Sequence, residues 1–135
     1  MPTAGPSRSA RAVRVIAVAA RDGAGLESLV AEHFGRCPFY VVVVTAGTVI
    51  RAARVTANPH VADQAPGTML RFLRDLGADV VIVGAVGPSA THDLRRCAIT
   101  EVTGAAGRVV DAVGAYLRGA ARAGHATSSA AGTPR

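Results

Sequence analysis

Apolar positions in this chain come in short solid runs separated by Gly, Pro and Asp, not in long amphipathic repeats. The first run, residues 13–20 (Val-Arg-Val-Ile-Ala-Val-Ala-Ala), is β-branched and almost wholly apolar after Arg14. It predicts a central strand covered on both faces. Pro38 cannot donate to a ladder, so a second strand is expected to start at Phe39 and run over 39–45. Ala46-Gly47 reads as a tight turn. Residues 48–56 alternate poorly, with Arg51 and Arg54 on opposite faces, which suits an edge strand paired as a hairpin with the strand before it. Residues 79–83 (Asp-Val-Val-Ile-Val) give a further apolar strand, and 98–102 a short one.

Helical spacing appears between these runs. Leu26, Leu29, Val30 and His33 predict a short helix or helical turn that stops before Gly35. Met69, Phe72, Leu73 and Leu76 share one face of a helix over 67–76, with Arg71, Arg74 and Asp75 on the other and Gly77 as its stop. Pro88 suits the first turn of a helix continuing to Arg96. Val109, Val110, Val113, Tyr116 and Leu117 mark a last helix over 108–117. Residues 1–12 and 119–135 lack periodicity and are expected to be a flexible leader and a disordered tail around one domain, 13–118.

With 135 residues, 50% of them hydrophobic, the chain can bury a core without disulfides, and no apolar run reaches membrane-spanning length. Its two cysteines form no disulfide framework, which fits a reducing cytoplasm. All 15 basic residues are arginine and the net charge is +6, so anionic partners are favoured. The arginines are scattered and there is no Trp to stack bases, so a small anion is expected rather than nucleic acid.

The alternation predicts an α/β fold with a five-stranded mixed sheet of order 3-2-1-4-5, strand 2 antiparallel to the rest. That order reverses between strands 1 and 4. Ligands of open α/β sheets lie beyond the strand ends at such a switch point. His33, Arg36 and Cys37 are expected there, at the start of the reversed strand 2, together with Asn58 and His60 after strand 3. The turn Gly84-Ala85-Val86-Gly87-Pro88-Ser89 should offer amides to an anion. The plainer readings are a solvated histidine, a buried cysteine acting as a small hydrophobe and a turn that is only a turn. Cys97 enters from the opposite rim, so no disulfide is expected. No strand-borne carboxylates suit two-metal chemistry, and no Cys-x-x-Cys marks a zinc site, so any metal identity is unknown.

His-Phe-Gly-Arg (33–36), Asn-Pro-His (58–60), Leu-Gly-Ala-Asp-Val-Val-Ile-Val-Gly (76–84) and Gly-Pro-Ser-Ala (87–90), in that order, resemble the dinitrogenase iron-molybdenum cofactor biosynthesis family. That family includes NifX-type carriers and the C-terminal domain of NifB-type proteins. The resemblance implies a three-layer ribonuclease H-like fold without nuclease activity. It also implies a non-enzymatic, cytoplasmic role connected with nitrogen fixation: carrying an anionic iron-sulfur or iron-molybdenum cofactor precursor cluster between cluster-donor and cluster-acceptor proteins, with neither nucleic acid nor membrane as partner. His33, Cys37 and His60 would be ligands, with Arg36 and the amides from Gly84 through Gly87 to Ser89 as charge partners. Two positions depart from the family pattern: Cys37 stands where a small residue is common, and Ser89 replaces a frequent Asn. The alternatives are a protein-interaction or regulatory module that binds no cluster, and a small enzyme dependent on Cys37.

Overall fold

A computed structural model of the chain describes residues 13–60 and 67–123. The expected leader (1–12) and most of the expected tail (124–135) lie outside the described residues. The strands are β1 (Val13–Ala20), β2 (Phe39–Ala46), β3 (Val49–Ala57), β4 (Val80–Ile82) and β5 (Thr100–Val102). The helices are α1 (Thr68–Asp75), α2 (Pro88–Arg96) and α3 (Val109–Ala123). The sheet runs β3-β2-β1-β4-β5. β2 is antiparallel to β1 and β3, while β1, β4 and β5 pair in parallel. This is the topology expected from the apolar runs.

Strand alternation divides the core into two layers. Ala17, Ala19, Tyr40, Val81 and Val83 face α1 and α2, packing on Met69, Leu73, Leu94 and Ile99. Ile16, Val18, Val41, Val43, Val80 and Ile82 face α3, packing on Val109, Val113 and Leu117. β1 is buried from Ile16 to Ala20 because both layers cover it, whereas the edge strand β3 is mostly exposed. α1 has only 8 residues, too few to hold itself in water. Its stability comes from docking Met69 and Leu73, each fully buried apolar side chain contributing about 1.5–3 kcal/mol.

Three local readings are corrected. Of the short helix or helical turn expected over 26–33, only a 3-10 turn at Gly25–Glu27 forms, and the chain then runs extended. β5 begins later than expected because Ala98 takes a left-handed turn, φ 59°, which a strand cannot include. α3 continues six residues beyond Leu117, to Ala123. Both cysteines are free thiols, as expected.

Candidate functional site

Residues 29–33 explain how the site is held. Leu26, Leu29 and Val30 do have helical spacing, but their backbone groups find better partners in the gap where β1 and β4 part from the chain. Arg21 N–H donates to Leu29 O at 3.0 Å, Ala31 N–H to Ala19 O at 2.8 Å and Val30 N–H to Gly107 O at 2.8 Å. Gly84 N–H then donates to Ala31 O at 3.0 Å and Ala85 N–H to Glu32 O at 2.7 Å. The segment crosses from one layer to the other: Val30 packs with the α3 layer, Ala31 and Phe34 with the α1 and α2 layer. Tertiary pairing therefore overrides helical periodicity here.

Gly84 makes this crossing possible. A Cβ there would lie 2.8 Å from Glu32 Cα and 3.1 Å from Glu32 O, closer than side chains tolerate. Beyond the crossing, the turn over residues 34–36 is fastened from beneath. The Tyr40 hydroxyl donates to Phe34 O, and the Cys37 thiol lies 3.7 Å from the same oxygen. Asn58 donates through Nδ2 to Gly35 O at 3.1 Å and to Cys37 O at 2.8 Å, and its Oδ1 accepts from His60 N–H at 2.9 Å. Asn58 is buried, so these bonds replace the water it lost.

The fastened turn forms one wall of a cavity of about 630 Å³, with His33, Phe34, Gly35 and Arg36 on that side. The opposite walls are the beginnings of two helices: Gly67, Thr68, Met69 and Leu70 of α1, and Gly87, Ser89 and Ala90 of α2. Both helices are preceded by glycine and neither has a side-chain cap hydrogen bond. First-turn amides have no acceptor inside their own helix, and they carry the positive end of its dipole. His33 and Arg36 are exposed and Asp93 half-buried, so each side chain can meet solvent or a ligand. The cavity is therefore built to attract negative charge, with Asp93 as the opposing group among its lining residues.

The structure brings His33, Arg36 and, from the 84–89 turn, Ala85, Val86, Gly87 and Ser89 to this cavity, and leaves Cys37, Asn58, His60 and Gly84 off its lining. Cys37 is 2% exposed, and burial, partly offset by its polar neighbours, Tyr40 first, pushes its thiol above the ordinary range. It supplies no thiolate to the lining. Burial also raises the Tyr40 phenol well above its usual value, so it stays a hydrogen-bond donor. His60 sets its ring edge-on to Phe72 at 6.0 Å, and Phe72 in turn meets Tyr40 at 5.8 Å. The amides of Gly84 and Ala85 are spent on the crossing segment, which corrects their assignment to an anion cradle. Among the described residues, no three His, Cys, Asp or Glu side chains gather to hold a metal ion.

The α1 wall and Asp93 were not among the residues singled out in the sequence. Gly67 after Pro66 was the available signal, since glycine with φ 83° opens α1 and brings no capping side chain of its own. Asp93 carries no motif at all. Its place follows only from how α2 packs.

The family described as dinitrogenase iron-molybdenum cofactor matches residues 14–119. The crystal structure of PH0822 is similar with a TM-score of 0.70 at 30% identity, over 78% of this chain and 90% of that one. The apo form of the orange protein from Desulfovibrio gigas is similar with a TM-score of 0.69 at 33% identity, over 79% and 89% of the two chains. A putative NifB protein from Thermotoga shares the fold, with a TM-score of 0.64 at 21% identity over 79% and 90%. Curated protein sequences give no match. Among the described residues, no helix is long and apolar enough to cross a membrane.

Proposed function

We infer, from the premise that the chain belongs to the dinitrogenase iron-molybdenum cofactor family, that it is a carrier. It holds an anionic metal-sulfur cluster, an iron-sulfur or iron-molybdenum cofactor precursor, and passes it between donor and acceptor proteins in the cytoplasm. The observation that carries this reading is the convergence of two glycine-led helix beginnings with His33 and Arg36 on one cavity of about 630 Å³. Sulfide-rich clusters are anions, and amides and guanidinium neutralise them without a covalent commitment. The His33 imidazole would supply the terminal bond to iron, and its exposure would leave that bond open to exchange with the next protein. Asn58, Tyr40 and Gly84 would act through the turn they position. Cys37 and His60 are left out of the ligand set because neither lines the cavity.

Anaerobic titration with an iron-sulfur cofactor precursor, read by absorption and iron content, tests the assignment. Loss of His33 in His33→Ala should lower affinity about tenfold or more, ~1.4 kcal/mol, and Arg36→Ala should weaken binding in a salt-dependent way. Wild-type protein that stays colourless and iron-free while capturing a stable partner would instead favour the interaction-module reading.

A further inference from the structure

Positive helix ends and an arginine attract any anion, and the common cellular anions are compact ones such as phosphate and sulfate. Attraction alone does not choose cargo; discrimination needs something that opposes the wrong ligand. Asp93 lines the same cavity from α2. It is half-buried and joins no ion pair with other described residues. Its position does nothing for its own helix either. α2 begins at Pro88, so Asp93 lies past the first turn, where a carboxylate would favour the dipole. Arg96, three residues on, is exposed and makes no bridge to it. A carboxylate therefore remains in a cavity otherwise arranged for negative charge.

We propose that Asp93 is a specificity-determining residue that rejects compact saturated dianions from the cavity. A sphere of that volume would be about 11 Å across, close to the Debye length of roughly 10 Å at 0.1 M salt, so at low ionic strength the carboxylate acts on a small dianion throughout the cavity and added salt weakens that repulsion. A larger metal-sulfur anion escapes the penalty because it can put its sulfides against Arg36 and the helix beginnings and turn a metal-bearing or neutral edge to Asp93. The proposal rests on the carrier reading for its purpose but is tested without any cluster.

Equilibrium binding of inorganic sulfate and phosphate to the full chain is measured for wild type, Asp93→Asn and Asp93→Glu at two ionic strengths. The expected result is that Asp93→Asn binds both dianions about tenfold more tightly at low salt, that the gain shrinks with added chloride, and that Asp93→Glu stays as weak as wild type. Unchanged or weaker dianion binding by a folded Asp93→Asn, shown by an unaltered melting curve, overturns it. If Asp93→Asn does not fold, Asp93→Ser is measured in its place with the same two outcomes. A tenfold gain together with wild-type protein that takes up no cluster would sink the carrier reading and leave the role of Asp93 standing.

Discussion

Asn58 donates its side-chain amide to the main-chain oxygen of Cys37 at 2.8 Å, joining the end of β3 to the entrance of β2 across 21 positions of sequence. The same amide reaches Gly35 O, so one buried side chain fixes the turn that presents Arg36. Asn58→Ala removes a buried donor to Cys37 O and a part-buried donor to Gly35 O. The expected loss is roughly 2–4 kcal/mol, combining the lost bonds with the desolvation of the groups left behind. Urea unfolding measures it, and a loss below half a kilocalorie would mean that water or a neighbour replaces the amide.

Gly84 and Glu32 provide a second handle on the same turn. Because a Cβ at 84 would lie 2.8 Å from Glu32 Cα, backbone must move to admit it. Gly84→Ala is expected to cost about 1–3 kcal/mol, the usual range for overpacking, and to shift the amide resonances of residues 31–36 more than those of the α3 layer. Equal shifts in both layers would show that the strain spreads through the sheet.

How much of this was legible in the sequence depends on how local each signal was. β1 and β4 are solid apolar runs, and a run buried on both faces announces a central strand, so the sheet order followed from adjacency and handedness. The crossing at 29–33 was misread because Leu26, Leu29 and Val30 satisfy a helical period while the segment's backbone partners, Gly107 for Val30 and Ala19 and Gly84 for Ala31, come from three other parts of the chain. His33 and Arg36 stood out as polar residues in a turn at the switch point. Cys37 stood out equally, but side-chain chemistry says nothing of burial, and the thiol is buried off the cavity lining. The α1 wall was hidden because its contribution comes from main-chain amides, which every residue but proline carries.

Asp22 offers a test of pH dependence. Its carboxylate is held below the ordinary carboxylate range first by the Ser28 hydroxyl, 2.7 Å from Oδ1, and then by the Ala24 amide at 3.0 Å. A lowered acid binds its proton later in the native state than in the unfolded chain. Its contribution is therefore present above the ordinary carboxylate range and is lost as pH falls through the lowered value. The melting temperature of wild type should exceed that of Asp22→Asn near neutral pH, with the gap closing on acidification. A gap that does not change with pH would place the effect in packing rather than ionisation.

Cys37 gives the opposite sign and decides whether the thiol belongs to the site. Burial is the main reason its pKa is raised, so the native protein keeps the proton that the unfolded chain has already released. The thiol costs nothing below the ordinary thiol range, and stability declines as pH rises above it. Cys37→Ala should show a shallower alkaline decline than wild type; Tyr116, whose phenol is also raised, is common to both proteins, while the Tyr40 phenol is raised partly by Cys37, so the difference reports the Cys37 and Tyr40 pair. At neutral pH iodoacetamide should label half-buried Cys97 first and Cys37 only on unfolding. Since the thiol points to Phe34 O and does not line the cavity, Cys37→Ala should leave anaerobic cluster affinity within about twofold, ~0.4 kcal/mol. A tenfold drop in the folded variant would mean that the turn opens to bring the sulfur to the cluster, and that His33 is not its sole side-chain ligand.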